Sequence, residues 1–337
     1  SLMDFENVTF EDLKDDVNKY HKVKIHLIGD TIFDKYNYCS VLGQTTKTPT
    51  FSVKKDKEEF FLGGAGIVAK HLKKLGSNVI FTTVVGNDKL GKKVISELKK
   101  NKIKTNCLID DSRSTTLKER FWAENHKLLQ VDIVDNHIIS KNIENKISKI
   151  VSNTRSDGVI FSDFRHGIFN HETIKLFSKK IRKGVCKVAD SQVSNRWGNI
   201  LDFKNFNLIL PNEKEARFSL GDQDSAVRQL GTKAYKFTKS KYLILKLGKR
   251  GTLTFRKSAV IPRDFFPIES LVKNFEDGLG AGDAMLAAST LSLVVSKNIT
   301  ISSILGSLAA GLVCETKGNH PINKKMLLNR ISEISKN

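Results

Sequence analysis

The segment Asp277–Asp283 reads Asp-Gly-Leu-Gly-Ala-Gly-Asp and combines two carboxylates with three glycines. Residues 270–275 alternate loosely between apolar and polar types, and an alanine-rich run follows at 284–288, so the pattern predicts a strand, a glycine turn and a helix. Glycines let the turn point its N–H groups at one spot, where the helix adds the positive end of its dipole. An anion should bind there beside Asp283, which suits phosphoryl transfer to a hydroxyl group. The alternative is a structural N-cap whose glycines allow close packing.

The chain has 337 residues, of which 39% are hydrophobic, so it can form one large domain or two ordinary domains with a real core. No run of about 18 apolar residues is present, and no membrane partner is expected. The four cysteines lie far apart without a paired motif, and the eight histidines show no metal-binding spacing. Free thiols are typical of a reducing compartment, so the sequence predicts a cytoplasmic protein.

The formal net charge is +20, because 56 Lys and Arg residues stand against 36 Asp and Glu residues. Such an excess raises the alternative of a nucleic-acid-binding protein. The lysines are spread over the whole chain in short pairs, however, and no nucleic-acid-binding module accompanies them. The pattern favours a solvated, lysine-rich surface that steers anionic substrates, without a nucleic-acid partner.

The chain divides into three parts. Residues 1–22 carry a mild helical pattern and predict an N-terminal helical extension. Residues 23–325 alternate strands with helices, which predicts an α/β domain with a mostly parallel sheet and helices on both faces. Residues 326–337 are expected to form a C-terminal tail.

Two segments within the α/β region, 35–61 and 115–134, are not helical and are rich in aromatic, Thr and Val residues. The second segment has a strand–turn–strand pattern. We interpret both as a small β subdomain, whose natural use is a lid over a substrate site. A patch that makes a homodimer interface is the alternative, and both uses could hold.

Polar residues follow several predicted strands. Asp30 and Asp34 come after the first strand, and ligands collect at the carboxyl ends of strands in an open α/β sheet. Turn capping explains these two residues equally well. Asn212 and Glu215 follow another strand and lie one helical turn apart, so both can face a hydrated Mg²⁺ bound to phosphates. An N-terminal capping box is the alternative for this pair.

The order of these motifs resembles that of the ribokinase-like (PfkB) carbohydrate kinases over roughly residues 23–325. The matching pieces are, in chain order, Gly29-Asp30, Gly63-Gly64-Ala65-Gly66, Val85–Gly91, Ser162-Asp163, Pro211–Glu215, Gly248–Gly251 and Asp277–Asp283. Segments 29–36, 48–51, 115–120 and 128–132 look most like the kinase module of ADP-heptose synthases. The resemblance implies a ribokinase-like three-layer sandwich of the α/β class, with a mostly parallel central sheet and a small β lid.

The resemblance also implies an enzyme that uses ATP and Mg²⁺ to phosphorylate a hydroxyl of a sugar or sugar phosphate. The favoured substrate is D-glycero-D-manno-heptose 7-phosphate, phosphorylated at position 1. Two alternatives stay open: a kinase for another sugar, such as ribose or a fructose phosphate, and a catalytically silent ribokinase-like protein that binds or regulates. No HxGH motif follows residue 325, so no nucleotidyltransferase module is expected there.

Site residues follow from the same resemblance. Asp283 matches the base that takes the proton from the substrate hydroxyl, beside an anion hole formed by the backbone of Gly280, Ala281 and Gly282. Glu215, with Asn212, matches the site of magnesium and phosphate. The sugar pocket is matched by Asp30, Asp34, Gly63, Gly64 and Asp163. A site in the lid for a phosphate of the substrate is matched by Lys118 and Arg120. The nucleotide site is matched by Asn212, Lys246, Gly248, Gly251, Asp277 and Asn319.

Four positions, in three motifs, depart from the usual pattern of the family. Ile67 stands where an Asn usually follows the double glycine. Lys246 replaces the usual Thr of the nucleotide hairpin. After Asp190, Ser191-Gln192 replace the usual Pro-Lys. None of these departures changes the Gly-Ala-Gly-Asp motif of residues 280–283.

Overall fold

The computed structural model describes residues 2–44, 50–124, 126–192, 198–257 and 264–336. Thr48 and Pro49, which contribute to the family resemblance, lie outside these ranges. The strands are β1 (Lys24–Gly29), β2 (Thr31–Gln44), β3 (Phe51–Gly64), β4 (Asn78–Gly86), β5 (Lys104–Asp110), β6 (Leu117–Ala123), β7 (His126–Ile133), β8 (Gly158–Asp163), β9 (Cys186–Ser191), β10 (Leu208–Ile209), β11 (Tyr242–Lys246), β12 (Thr252–Arg256) and β13 (Phe265–Ile268).

The helices are α1 (Leu2–Phe5), α2 (Phe10–Asn18), α3 (Ala65–Lys74), α4 (Lys89–Lys100), α5 (Lys141–Asn153), α6 (His171–Lys180), α7 (Glu213–Leu220), α8 (Val227–Thr238), α9 (Ala281–Ser296), α10 (Ile299–Cys314) and α11 (Lys324–Ile334). None of them, within the described ranges, combines the length and the apolar character that crossing a bilayer requires.

Nine strands form the main sheet, in the order β13-β12-β11-β10-β9-β8-β1-β4-β5. The strands from β11 to β5 pair in parallel, and β12 and β13 are added antiparallel at one edge. Parallel strands need crossover connections, which explains why strands and helices alternate in the sequence. The prediction of a mostly parallel sheet is confirmed.

Helices cover both faces of the main sheet, and the strand side chains alternate between two apolar clusters. Leu27 of β1 belongs to one cluster, which also holds buried residues of α2, α3, α4, α9, α10 and α11. The next residue, Ile28, belongs to the other cluster, with buried residues of α5, α6, α7 and α8. This alternation follows from the two-residue period of a strand, and it produces the three-layer sandwich that the resemblance implies.

The helix α9 lies inside the first cluster and is apolar on nearly all sides. Every residue from Asp283 to Leu293 is buried. Its neighbour α10 is buried almost as completely. Because a helix that is hydrophobic all round is stable only within a core, the tertiary packing holds α9 in place from its first turn onwards.

A second sheet of four strands has the order β3-β2-β6-β7. The pairs β2/β3 and β6/β7 are antiparallel, whereas β2 and β6 are parallel. The two segments predicted to form a small β subdomain supply these strands. Since only Asp30 separates β1 from β2, the four-stranded sheet is tied to the carboxyl end of a central strand.

The prediction of a strand at 270–275 is wrong. The last strand, β13, ends at Ile268, and residues 269–280 are irregular. Their backbone groups bond to the end of α10 and not to a strand, because the N–H groups of Glu276 and Asp277 both donate to the carbonyl oxygen of Cys314, at 2.8 and 3.1 Å. The loose alternation in this segment is also compatible with an irregular chain that is held by tertiary contacts.

The sequence pattern does not predict α5 and α11. The helix α11 covers most of the segment that is expected to be a tail, buries Leu327, Arg330 and Ile331, and packs against α2. The helix α2 lies within the segment that is expected to be an N-terminal extension, and it buries Leu13 and Val17. Both ends of the chain therefore add to one apolar cluster of the main domain.

Candidate active site

A cleft of about 890 Å³ lies beside the carboxyl ends of several parallel strands. Fourteen of the eighteen predicted site residues line it, namely Asp34, Gly64, Lys118, Arg120, Asn212, Glu215, Lys246, Gly248, Gly251, Gly280, Ala281, Gly282, Asp283 and Asn319. They come from the four-stranded sheet, from the ends of β10 and β11, from the start of α9 and from the segment after α10. The fold thus brings residues that are far apart in the sequence to one cleft, in the place where open α/β sheets bind ligands.

The N-terminus of α9 has no side-chain cap. Its N-cap residue is Gly280, which has a left-handed φ of 79°. A Thr, Ser, Asp or Asn side chain caps α2, α4, α5, α6, α7, α10 and α11. A side chain at Gly280 would also collide with Oδ1 of Asn319. The first N–H groups of α9 are therefore available to an anion in the cleft.

Asp283 lies in the first turn of α9 and is only 8% exposed. Its Oδ1 has no hydrogen-bond partner among the described residues. Burial raises the pKa of Asp283 to about 8, the carboxylate of Asp190 adds to the rise, and the ammonium of Lys246 opposes it. A buried carboxylate with a free oxygen and a pKa near neutral is well suited to accept a proton from a hydroxyl group.

The raised pKa of Asp283 predicts an acid limb in the pH–activity profile. A base accepts a proton only in its deprotonated form, so kcat/KM should rise with pH up to about 8 and then level off. The measurement is kcat/KM for phosphoryl transfer across this range, with Asp283→Asn as the control that should lack the limb. A wild-type profile that is flat from well below this pKa would contradict the assignment of Asp283 as the base.

Lys246 places a positive charge next to Asp283. Its Nζ donates to both carboxylate oxygens of Asp190, at 3.0 and 2.9 Å, and its side chain is 13% exposed. Burial works against the charge, but the carboxylates of Asp190, Glu215 and Asp283 outweigh burial and raise the pKa of Lys246. The ammonium is therefore held charged between the side chains of Asp190, Glu215 and Asp283.

Asn212 and Glu215 form the capping box that is the structural alternative for this pair. The Glu215 carboxylate accepts from the backbone N–H and from Nδ2 of Asn212, both at 2.7 Å, and Oδ1 of Asn212 accepts from the N–H of Glu215 at 2.8 Å. Both side chains also line the cleft. Burial raises the pKa of Glu215 to about 7, which Lys246 opposes and Asp190 reinforces. Capping explains their orientation and leaves carboxylate lone pairs for a ligand.

The carboxylate of Glu215 fits a site for a magnesium ion. Proteins usually bind Mg²⁺ through one or two carboxylates, and water and phosphate oxygens complete the coordination. Glu215, which lines the cleft, would supply an oxygen ligand, and a divalent cation there would favour its deprotonated form. Across the ranges that the structure describes, no three His, Cys, Asp or Glu side chains converge on one metal-binding point. The ion would therefore depend on phosphate ligands as well.

Asp34 and Arg120 form a buried ion pair where the four-stranded sheet lines the cleft. Burial raises the pKa of Asp34, and Arg120 opposes the rise. Lys118 is the register partner of Asp34 across β2 and β6, and it lies two residues before Arg120. Because side chains two residues apart lie on the same face of a strand, Lys118 and Arg120 share one face of β6. The sheet thus presents one carboxylate and two cations to the cleft, which suits a sugar that carries a phosphate.

Four predicted site residues do not line the cleft, namely Asp30, Gly63, Asp163 and Asp277. Asp30 accepts from the N–H groups of Phe164 and His166, at 2.9 and 3.3 Å. Asp163 accepts from the hydroxyl of Ser191 at 2.7 Å, and it also binds the backbone and side chain of Arg165. Both carboxylates join the ends of neighbouring strands, and Phe164, which does line the cleft, is held in this way.

Gly63 and Asp277 affect the conformation of neighbouring residues that line the cleft. A side chain at Gly63 would collide with the Asp34 carboxylate, so glycine leaves room for that group. Oδ1 of Asp277 accepts from the N–H of Leu279 at 3.0 Å. This bond shapes the turn that leads into Gly280.

Several residues that line the cleft are absent from the predicted site, namely Gln192, Leu271, Val272, Phe275, Ser307, Gly311 and Cys314. Asp190 is absent as well, although it binds Lys246. Asp190 follows a predicted strand in the same way as Asp30, so the strand-end rule could have found it. No local signal marks Leu271, because an irregular segment brings it to the cleft.

The model of the pfkB family of carbohydrate kinases matches residues 24–325. The chain belongs to this family. It is therefore a phosphotransferase that acts on a carbohydrate, as the motif order predicts, and family membership implies ATP as the phosphoryl donor.

Two relatives of this pfkB-family kinase carry the name bifunctional protein HldE. The chain is 31% identical over 311 residues to the protein from Helicobacter pylori strain J99. It is 25% identical over 320 residues to the protein from Desulfatibacillum aliphaticivorans. The alignments cover 88% and 93% of this chain, which spans 64% of the length of each relative.

Two solved structures show the same fold. Phosphofructokinase-2 from Escherichia coli, in complex with potassium, superimposes with a TM-score of 0.76 at 17% identity, over 93% of this chain and 99% of the other. Ribokinase from Arabidopsis thaliana, complexed with ribose and ATP, gives a TM-score of 0.71 at 20% identity, over 92% and 98%. The ribokinase-like fold that the sequence predicts is confirmed.

Proposed function

We propose that this pfkB-family kinase transfers the terminal phosphoryl group of ATP to a hydroxyl group of a sugar phosphate. The observation that carries the proposal is the uncapped N-terminus of α9, with the buried carboxylate of Asp283 in its first turn. The start of this helix can bind a phosphoryl group, and the base lies in the same turn. The hydroxyl group that attacks is therefore brought next to the phosphoryl group.

In this proposal Asp283 orients the attacking hydroxyl and accepts its proton at Oδ1. The N–H groups of 280–282 stabilise the negative charge on the transferring phosphoryl group, because they are fixed in place before the reaction begins. Glu215 would hold Mg²⁺, which would balance the charge of the phosphates.

We assign the nucleotide to the part of the cleft lined by Gly248, Gly251 and Asn319. The helix α10 contributes Ala310 and Gly311 to the same lining. These small side chains leave room for a flat base and for close approach to the backbone. The Arabidopsis ribokinase that shares this fold was solved with ATP, which supports the assignment.

We propose D-glycero-D-manno-heptose 7-phosphate as the substrate, phosphorylated at position 1. The sequence resemblance to the kinase module of ADP-heptose synthases and the relatives named HldE support this choice. Lys118 and Arg120 would bind the phosphate of the sugar, since both are cations on the wall of the cleft. The carboxylate of Asp34 would accept hydrogen bonds from sugar hydroxyls.

A substrate panel tests the proposal. The purified chain is incubated with ATP, Mg²⁺ and a set of heptose, hexose and pentose phosphates, and the products are read by mass spectrometry. The expected result is one added phosphoryl group on heptose 7-phosphate. Transfer only to a ribose or fructose phosphate would change the substrate, and ATP binding without transfer to any acceptor would contradict the proposed activity.

We also propose that two copies of the chain form a homodimer through the four-stranded sheet. Its edge strand β7 exposes Leu128, Leu129, Val131 and Ile133 by 41%, 56%, 42% and 47%. Apolar side chains on an open edge strand are a site for pairing with another chain, and the same strand of a second copy is apolar in the same way. Light scattering after size exclusion should give twice the chain mass, and Leu129→Lys should give monomers. A monomeric wild-type protein would refute the dimer.

A further inference from the structure

The ammonium of Lys246 lies directly beside the uncapped start of α9. A Cβ atom placed on Gly282 would be 3.5 Å from Nζ of Lys246. Lys246 also lines the cleft, together with Gly280 and Asp283. One largely buried cation therefore adds its charge to the helix end that is free to bind an anion.

The fold determines how Lys246 reaches this point. Lys246 is the last residue of β11, and its backbone N–H donates to the carbonyl oxygen of Pro211 at 2.8 Å. Its side chain extends past the end of β10 to Asp190 on β9, two strands away in the sheet. Because a buried charge needs a partner, the Asp190 carboxylate is what holds the ammonium in the cleft.

Two of the residues that depart from the family pattern line this cleft. The usual Lys is replaced by Gln192, and the usual Thr is replaced by Lys246. The side chains of both positions line the same cleft, and Asp190, which binds Lys246, lies two residues before Gln192. The lysine that is usual after β9 is thus absent, and a lysine is present instead at the end of β11, in the same cleft.

We propose that Lys246 binds the terminal phosphate of ATP and supplies the positive charge that position 192 lacks. The proposal rests on the use of ATP in the proposed function. An ammonium has three N–H donors, and the Asp190 carboxylate occupies two of them. The third can bond a phosphate oxygen in the cleft, and such a charge-assisted bond is stronger than a neutral one. ADP, which lacks the terminal phosphate, gains nothing from it.

Nucleotide binding measured by calorimetry, in the presence of Mg²⁺ and without a sugar, tests the proposal. Lys246→Thr should weaken the binding of ATP by about tenfold or more, and the binding of ADP much less, because one charge-assisted bond is lost. The double variant Gln192→Lys/Lys246→Thr should regain most of the preference for ATP, since it returns an ammonium to the cleft. Lys241→Thr, an exposed lysine just before β11, is the matched control and should bind both nucleotides as the wild type does.

The outcomes separate this proposal from the proposed function. If the wild-type chain does not bind ATP, the proposed function fails with it. If the wild type binds ATP but Lys246→Thr keeps the same preference over ADP, the role of Lys246 is refuted and the proposed function stands. Equal losses for ATP and ADP would show that Lys246 only supports the fold of the cleft. Should Lys246→Thr fail to fold, Lys246→Gln takes its place, because its amide can still donate to Asp190 without the charge. An unchanged preference of this variant for ATP over ADP overturns the proposal.

Discussion

Asp283→Asn is expected to lower kcat by about 100- to 10,000-fold while the affinity for ATP changes little. The variant keeps the size of the side chain and the N–H groups of α9, but its neutral amide cannot accept the proton as the carboxylate does. Steady-state kinetics with the substrate found in the panel, together with calorimetry of ATP binding, measure the two effects separately. A variant that keeps wild-type turnover would contradict the assignment of Asp283 as the base.

Thermal melting shows whether this loss is a folding defect. The pKa of Asp283 in the folded protein is about 8, above the ordinary value for a carboxyl group. The folded state therefore binds the proton more tightly than the unfolded chain, and this group lowers stability as pH rises between the two values. Since the Asn side chain carries no charge, the variant should melt at or above the wild-type temperature near this pKa. Glu276→Gln, an exposed acid before the same turn, is the control for both measurements.

Arg120→Met is expected to reduce the free energy of unfolding by about 3 kcal/mol. The substitution keeps an unbranched apolar stem but leaves the buried carboxylate of Asp34 without its partner. It should also raise the KM for the sugar phosphate, because one of the two cations on this wall of the cleft is lost. Urea denaturation measures the first effect, and steady-state kinetics measure the second.

A double variant identifies the cause of this destabilisation. Arg120→Met/Asp34→Asn should recover much of the stability, because no unpaired charge is left buried, while the KM should stay high. Arg155→Met, an exposed arginine that precedes β8, is the matched control and should change neither quantity. If the single and double variants are equally unstable, the ion pair with Asp34 is not the reason.

The overall fold could be predicted because its signals are local and repeated. Buried strands alternate with amphipathic helices from residue 23 onwards, and this alternation is typical of parallel sheets. The hairpin of β6 and β7 is likewise visible as two apolar strand patterns around a turn. The helix α11 escapes prediction because its apolar residues acquire a partner only when α2 lies beside it.

The segment 277–283 shows which structural features a local sequence pattern can predict. The glycine turn and the start of α9 are present as predicted, because glycine backbone and an alanine-rich helix are encoded by neighbouring residues. The strand expected before them is absent, because 269–280 bond to the end of α10 and not to a strand. Sequence spacing reports the local conformation of this segment and not its tertiary partners.

By itself, the sequence determined the type of chemistry. Three glycines and an acid at the start of a helix are sufficient to predict an anion site beside a base, since the chain supplies both within one turn. Only the tertiary structure decided which charges surround that base. Lys246, Asp190 and Glu215 lie around Asp283 because β11, β10 and β9 are neighbours in the sheet. The burial of Asp283 and the carboxylate of Asp190 raise the pKa of Asp283 to about 8, and the ammonium of Lys246 opposes this rise. Strand order and burial are properties of the folded chain, and no spacing of residues along the sequence encodes them.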